Sequence, residues 1–270
     1  MFGLGKRRFL EAEVEEFHVH CWAWLLRNTP HRKFGATPLV LPTREFFETT
    51  SASGPELGRT IFRDVSRLAQ VEAPYLHLIP ETEIKDRVIS VRTGSLCAPS
   101  GTFGVCDDDR AEIRYNTALL DDPPKLICIF AHELGHLVNG AFPEGPPGGK
   151  ANIEAATDVT STFLGFGVFH SAILDVRSDR RRYLNNSSGQ PLEYLSSIEC
   201  AFDLAIFCAL RGADVYAIKP FVPRYYWADT VAAAKYLKSS ACLNDIQSMV
   251  RSSPGRRTGR NFWAERDGLS

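Results

Sequence analysis

The residues best suited to chemistry lie in one short motif, His132-Glu133-Leu134-Gly135-His136, which has the pattern HExxH. Residues four apart on a helix are separated by about 40° around its axis, so both imidazoles are expected on one face. Such a pair can hold one zinc ion, and Glu133 can reach the metal's water without binding the metal. Zinc lowers the pKa of that water, and Glu133 is the predicted general base that passes its proton to the leaving group.

The simplest alternative is a pair of surface histidines on an amphipathic helix. The residues around the motif are apolar on both sides, namely Ile127, Ile129, Phe130, Leu137 and Val138. A buried helix is therefore expected, and burying two histidines and a glutamate without partners would cost on the order of several kcal/mol. A bound metal accounts for these residues better.

A zinc hydrolase needs a third protein ligand and an open position for water. The next predicted helix carries Glu154 and Asp158, again four residues apart and on one face. Glu154 can complete a His/His/Glu set, and Asp158 can accept a hydrogen bond from a ligand histidine and fix its tautomer. The alternative is that both are ordinary helix-start charges. The nearly apolar stretch from Val159 to Phe169 favours a buried Asp158 that needs a partner.

An HExxH helix followed by an ExxxD helix resembles the gluzincins, the thermolysin-like zinc metallopeptidases, over about residues 110–165. The resemblance implies a zincin-like fold, one zinc ion, Glu154 as the third zinc ligand and Asp158 orienting a histidine. It also implies a peptide or protein substrate, whose amide bond is hydrolysed.

A second resemblance, to uncharacterised bacterial proteins with a compact HExxH domain, rests on segments outside the motif. These are Leu41-Pro-Thr-Arg-Glu-Phe-Phe47, Leu164-Gly-Phe-Gly-Val-Phe169 and Tyr194-Leu-Ser-Ser. It implies a small gluzincin-like domain and no particular substrate. Those proteins are expected to carry a tyrosine near the position of Phe202, so a hydroxyl group there is missing from this chain.

Gluzincins usually supply a tyrosine or histidine donor to the negatively charged intermediate. The candidates are Tyr194, His170 and Tyr183. Tyr194 is taken as the catalytic candidate because it follows Gly189-Gln-Pro191 and opens a predicted helix, a position that could face a cleft. A half-buried structural tyrosine is the alternative, and a lone histidine such as His170 is more often structural.

Bulk properties narrow the class of protein. The net charge of −1 over 270 residues gives no reason to expect nucleic acid or an acidic membrane as partner. No run of eighteen apolar residues predicts a membrane span, and no apolar segment near Met1 predicts a secretory signal. The seven cysteines show no CxxC spacing, which favours free thiols in a reducing cytoplasm.

The chain is predicted as an α+β, zincin-like fold, mostly helical, with a small twisted mixed sheet beside the HExxH helix. A single metallopeptidase domain is expected over 1–250, followed by a basic, disordered tail over 251–270. Strands are predicted at 75–79, 87–91 and 112–116, and Ser95 to Asp109 is predicted as a loop. Helices are predicted at 9–27, 55–71, 121–140, 152–165, 194–210, 230–237 and 243–250.

By analogy with zincins, the strand from Glu112 to Asn116 is expected at the sheet edge, where it could bind an extended peptide. The stretch from Gly94 to Gly104 could form a flap over the cleft. Three other features have simpler interpretations: His18 and His20 belong to an amphipathic helix, Cys128 is a core thiol, and the basic stretch Arg177 to Arg182 is a solvated loop.

Three functions fit these features. The first is an active metallopeptidase. The second is a zinc-binding protein that has lost activity and serves in binding or regulation, and the third is a zinc hydrolase of non-peptide amides. Glu133 argues against the second, because an inactive protein has no need of the base.

Overall fold

The computed structural model describes residues 8–48, 50–72, 76–82, 88–89, 96–97, 101–105, 111–173 and 194–252. These residues are mostly helical with a small mixed sheet, as the α+β prediction requires. The strands are β1 (Leu76–Glu81), β2 (Val88–Ile89), β3 (Leu96–Cys97), β4 (Gly101–Val105) and β5 (Ala111–Asn116). The α-helices are α1 (Ala12–Asn28), α2 (His31–Ala36), α3 (Gly54–Ala69), α4 (Pro123–Gly140), α5 (Ile153–Ser161), α6 (Ser197–Arg211), α7 (Arg224–Leu237) and α8 (Cys242–Arg251).

Helix α4 lies at the centre of this arrangement and packs against α3 and α5. Its side chains Leu126, Phe130 and Leu134 are fully buried, as the apolar residues around the motif predict. Elsewhere α1 packs against α8, and α6 against α7. Each predicted helix is present, because each carries an apolar face. Most bounds agree closely, but α7 begins at Arg224 and not at 230, and the short helix α2 was not predicted.

The larger sheet has the strand order β1-β5-β4, with β1 parallel and β4 antiparallel to β5. Strand β5 confirms the strand predicted at 112–116. Its residues Ala111, Ile113 and Tyr115 are buried against the helices, and Glu112 and Arg114 point to the other face, where Arg114 pairs with both Glu112 and Glu81. Strands β2 and β3 form a separate antiparallel pair.

Two predictions about this sheet are wrong. The stretch from Ser95 to Asp109 is not a loop throughout, because it contains β3 and β4. Strand β5 is not an edge strand either, since β4 pairs along its other side. The described parts of the proposed flap, 96–97 and 101–104, are therefore strand. Its glycines predicted a loop, yet Gly101 is needed for close packing: a Cβ there would lie 2.4 Å from Cγ2 of Ile129.

The start of α6 also differs from the prediction. The helix begins at Ser197, not at Tyr194, and Ser196 caps it. Residues 194–196 directly precede the helix, and their backbone and side chains contact the site described below. The basic stretch Arg177 to Arg182, Tyr183 and the tail after 252 lie outside the described residues. No helix in the described ranges combines the length and apolarity needed to cross a membrane.

Candidate metal centre

The HExxH motif lies in the second half of α4. The helix starts where predicted, because the Asp122 side chain accepts a hydrogen bond from the Lys125 amide at 3.3 Å and prolines occupy the first turn. His132 and His136 lie one turn apart on the same face, with ring centroids 4.9 Å apart. The rings are nearly perpendicular, at 81°, so they approach the space between them from two directions.

Glu154 on α5 faces both histidines, as predicted. Its Oε2 atom lies 3.1 Å from Nε2 of His132 and 3.4 Å from Nε2 of His136. Among the described residues, these three form the one group of histidine, cysteine and acidic side chains with ligand atoms close enough, all within 4.8 Å, to share a metal ion. The Glu154 side chain remains 37% exposed, so this side of the group is open to solvent.

Asp158 lies one turn further along α5 and contacts the opposite nitrogen of His132. Its Oδ1 atom is 2.9 Å from Nδ1 of His132, and its Oδ2 atom accepts the backbone N–H of Leu195 at 3.0 Å. A carboxylate can only accept, so Nδ1 of His132 carries a proton towards Asp158, and Nε2, which faces Glu154, is the nitrogen that would bind a metal in place of its own proton. This is the contact with a histidine that the sequence predicts for Asp158.

His136 is oriented by a neutral group that the sequence did not reveal. The hydroxyl oxygen of Thr157 lies 3.4 Å from Nδ1 of His136 and donates to the carbonyl of Ile153 at 2.8 Å. It also accepts from Nδ2 of Asn139 at 3.2 Å, and the Oδ1 of that amide accepts from Thr160 at 2.9 Å. With its proton donated elsewhere, the Thr157 oxygen is an acceptor for His136, and Nε2 is again free for a metal.

The sequence does hold one local signal for this contact. Thr157 lies three residues after Glu154 and one before Asp158, so it belongs near the face of α5 that meets the motif. Gly135, inside the motif, lets the two helices meet there: a Cβ on it would lie 2.9 Å from Cγ2 of Thr157.

The ionisation of the site follows from these contacts. Burial disfavours the imidazolium, but hydrogen bonds to Asp158 and Glu154 outweigh it and raise the pKa of His132 well above its ordinary value. Burial also opposes ionisation of Glu154, yet its hydrogen bonds with His132 and His136 lower the pKa of this carboxyl. The carboxylate is thus held charged, the form in which it binds a metal.

Glu133 has a different environment, although it directly follows His132 in the sequence. It is buried, and burial raises its pKa, while the charges of His132 and His136 oppose the rise. A carboxyl group with a raised pKa is a better proton acceptor once ionised, which is the property a general base needs.

Strand β4 covers the motif from the side of the sheet. Besides its contact with Ile129, a Cβ on Gly101 would lie 3.0 Å from Oε1 of Glu133. The ring of Phe103 lies nearly parallel to that of His136, at 13° with centroids 6.3 Å apart. The sheet edge nearest the site in the described chain is therefore β4, the strand predicted as a loop.

Of the three candidate donors, Tyr194 is the one placed beside the histidine pair. Its ring centroid lies 5.8 Å from that of His132. His170 is instead buried behind the site, with Nε2 2.8 Å from the Ser161 hydroxyl, and burial lowers its pKa. Tyr183 lies outside the described residues. Phe202 is buried away from the cleft and stacks on Phe9.

Cys128 and His18, for which the sequence favoured structural roles, are both buried. Cys128 is buried with Sγ 4.0 Å from Nδ1 of His170, so its thiol packs in the core as predicted. His18 is fully buried and paired with acidic side chains of α6, away from the motif. Comparison of the chain with protein-family models, curated proteins and solved structures gives no match.

Proposed function

We propose that the chain is a zinc-dependent hydrolase of the metallopeptidase type, with His132, His136 and Glu154 as zinc ligands and Glu133 as general base. The observation that carries the proposal is the convergence of two imidazole nitrogens and one carboxylate oxygen beside a second, buried carboxyl group. Two nitrogens and one oxygen are a donor set of catalytic zinc sites.

The spacing of the donors supports zinc in particular. Zinc bonds of about 2.0–2.1 Å in a tetrahedron place neighbouring ligand atoms about 3.3 Å apart. The two nitrogen–oxygen distances in the structure, 3.1 and 3.4 Å, bracket that value. In addition, the Nδ1 atoms of both histidines have partners, Asp158 and Thr157, which leaves both Nε2 atoms for the metal.

The surrounding elements support a zincin-like arrangement of the gluzincin type. The HExxH helix α4 is followed by α5 with its ExxxD pattern, and β4 of a mixed sheet lies against the motif. An edge strand in that position can hold an extended peptide by backbone hydrogen bonds. We assign this role to β4 in place of β5, and a peptide or protein remains the proposed substrate.

Each residue has a defined task in the proposed reaction. One zinc ion, when bound, supplies Lewis acidity that makes water a nucleophile near neutral pH. Glu133 takes the proton from the attacking water and delivers it to the leaving amine. Tyr194, beside His132, is the proposed donor to the negative charge that develops on the substrate oxygen. Asp158 and Thr157 keep the histidines in the tautomer that the reaction needs.

The test is zinc analysis followed by cleavage of a peptide library with wild type and Glu133→Gln. The variant keeps the size of the side chain but cannot take a proton, so we expect full zinc content and cleavage reduced about 10²–10⁴-fold. Equal cleavage by both proteins would overturn the role of Glu133. A wild type that binds zinc but cleaves nothing would favour a binding or regulatory protein, and cleavage of small amides alone would favour a non-peptide amidohydrolase.

A further inference from the structure

A group of charged side chains is buried between α1 and α6, away from the metal centre. This His18 cluster consists of His18, Glu199 and Asp203, which are at most 3% exposed. Nδ1 of His18 lies 2.9 Å from Oδ1 of Asp203, and Nε2 lies 3.7 Å from Oε1 of Glu199. The indole N–H of Trp22 donates to the same Asp203 oxygen at 2.8 Å.

His18 is charged at neutral pH. Burial alone would lower the pKa of His18, but Asp203 and Glu199 outweigh it and raise this pKa to about 10. Removing charged groups from water is costly, and apolar side chains of similar size often stabilise a core as well. Stability alone therefore explains the cluster poorly, and its neighbours in the chain suggest a second role.

Glu199 connects the cluster to the start of α6. Its Oε2 atom accepts the backbone N–H of Ser196 at 2.8 Å and also the Ser196 hydroxyl proton. Ser196 and Glu199 thus form a capping box, which fixes the direction in which the chain enters the helix. A capping box is usually exposed. Here it is buried, and His18 holds the glutamate from the opposite side.

The two residues before the cap contact the metal centre. The N–H of Leu195 donates to Asp158, whose other oxygen contacts His132, and the ring of Tyr194 lies beside His132 itself. Three consecutive residues, 194–196, therefore link His132, Asp158 and Glu199. A displacement of the cap would be transmitted directly to the orientation of His132 and to Tyr194.

We propose that Glu199, braced by His18, is a positioning residue for the metal centre that holds Leu195 on Asp158 and Tyr194 beside His132. The inference rests on the proposed function, since it gives Tyr194 and Asp158 their significance. A purely structural cluster makes a different prediction: its loss destabilises the fold but leaves the site unchanged in the molecules that stay folded.

The experiment compares Glu199→Ala and Glu199→Gln with Phe207→Leu. Phe207 is a fully buried residue near the other end of α6, so its substitution destabilises the same helix without touching the cap. Two measurements report on position: hydrogen exchange of the Leu195 amide in metal-free protein, and the visible absorption spectrum of the Co²⁺-loaded protein. Steady-state kinetics on a cleaved peptide separates kcat from KM.

For Glu199→Ala we expect about tenfold faster exchange at Leu195, an altered Co²⁺ spectrum and kcat reduced about 10–100-fold with KM changed far less. Glu199→Gln keeps an oxygen that can accept the Ser196 N–H, so it should recover much of this loss. Phe207→Leu should match wild type in exchange at Leu195 and in spectrum, even where its unfolding free energy falls as much.

Folded Glu199→Ala with wild-type exchange at Leu195 and a wild-type Co²⁺ spectrum would overturn the inference, as would equal effects of Phe207→Leu. If Glu199→Ala does not fold, Ser196→Ala carries the test. It removes the Ser196 side chain's part of the capping box, which is its donation to the Glu199 carboxylate and its acceptance of the Glu199 backbone N–H. Unchanged Leu195 exchange in this variant would equally overturn the inference. A wild type that binds no metal would instead overturn the proposed function, while the exchange measurement on metal-free protein still decides the role of Glu199.

Discussion

The hydroxyl oxygen of Thr157 lies 3.4 Å from Nδ1 of His136. The corresponding nitrogen of His132 faces a carboxylate instead, so the two candidate ligands are oriented by groups of different charge. A neutral acceptor fixes the tautomer of His136 without adding negative charge to the buried side of the site.

Thr157→Val removes this acceptor with almost no change of shape. We expect zinc affinity to fall about 10–100-fold, the usual cost of losing a group that orients a metal ligand, and Thr157→Ser to restore most of it. The measurement is competition for zinc with a chelator of known affinity. Thr162→Val is the control, because its buried hydroxyl lacks a hydrogen-bond partner. Wild-type zinc affinity in Thr157→Val would show that the contact between Thr157 and His136 does not contribute to zinc binding.

Gly101→Ala tests whether β4 belongs to the site. The added methyl group would lie 2.4 Å from Ile129 and 3.0 Å from Glu133, so either the strand or the glutamate must shift. We expect full zinc content with at least about tenfold lower activity, since misplacement of a catalytic group by 1 Å can cost much more. Gly104→Ala in the same strand has no atom within 4 Å of the new carbon and should retain wild-type activity. Equal activity of the two variants would show that β4 does not contribute to the active site.

His18 predicts a loss of stability at alkaline pH. Its pKa in the folded protein, about 10, exceeds the value of 6.5 expected after unfolding. The stabilisation is therefore complete below pH 6.5 and disappears as the pH rises through 10; it amounts to a few kcal/mol at most.

The measurement is urea unfolding of wild type and His18→Gln between pH 6 and 10. Cys21, whose pKa is raised by burial and by the charge of Asp203, adds an alkaline loss of its own in both proteins. The difference between the two proteins isolates His18, and it should shrink as the pH approaches 10. A difference that stays constant over this range would mean that His18 is not charged in the folded protein.

Local sequence patterns were enough to predict most of the helices and most residues of the candidate site. Asp122, the prolines after it and the apolar face define α4, and the four-residue spacing places Glu154 and Asp158 on one side of α5. These features act within one or two turns of helix, which is the range over which sequence periodicity is informative.

The parts that were missed depend on residues far apart in the chain or on glycine. Gly101 and Gly104 predicted a loop, although Gly101 serves the close packing of β4 on α4. His18 gave no sign of its charge, because its partner Asp203 lies 185 residues further along. Thr157 was missed because a neutral hydroxyl group carries no pattern that distinguishes an acceptor for His136 from an ordinary helical threonine.

The proposed zinc site depends on Glu154 as the third ligand beside the two histidines. The most direct measurement is zinc titration of metal-free wild type, Glu154→Ala and Glu144→Ala, the last being an exposed glutamate in the loop before α5. We expect about one zinc ion per chain for wild type and Glu144→Ala, and at least about a hundredfold weaker binding for Glu154→Ala. A wild type that binds no zinc, or a Glu154→Ala protein with unchanged affinity, would show that Glu154 does not complete a zinc site.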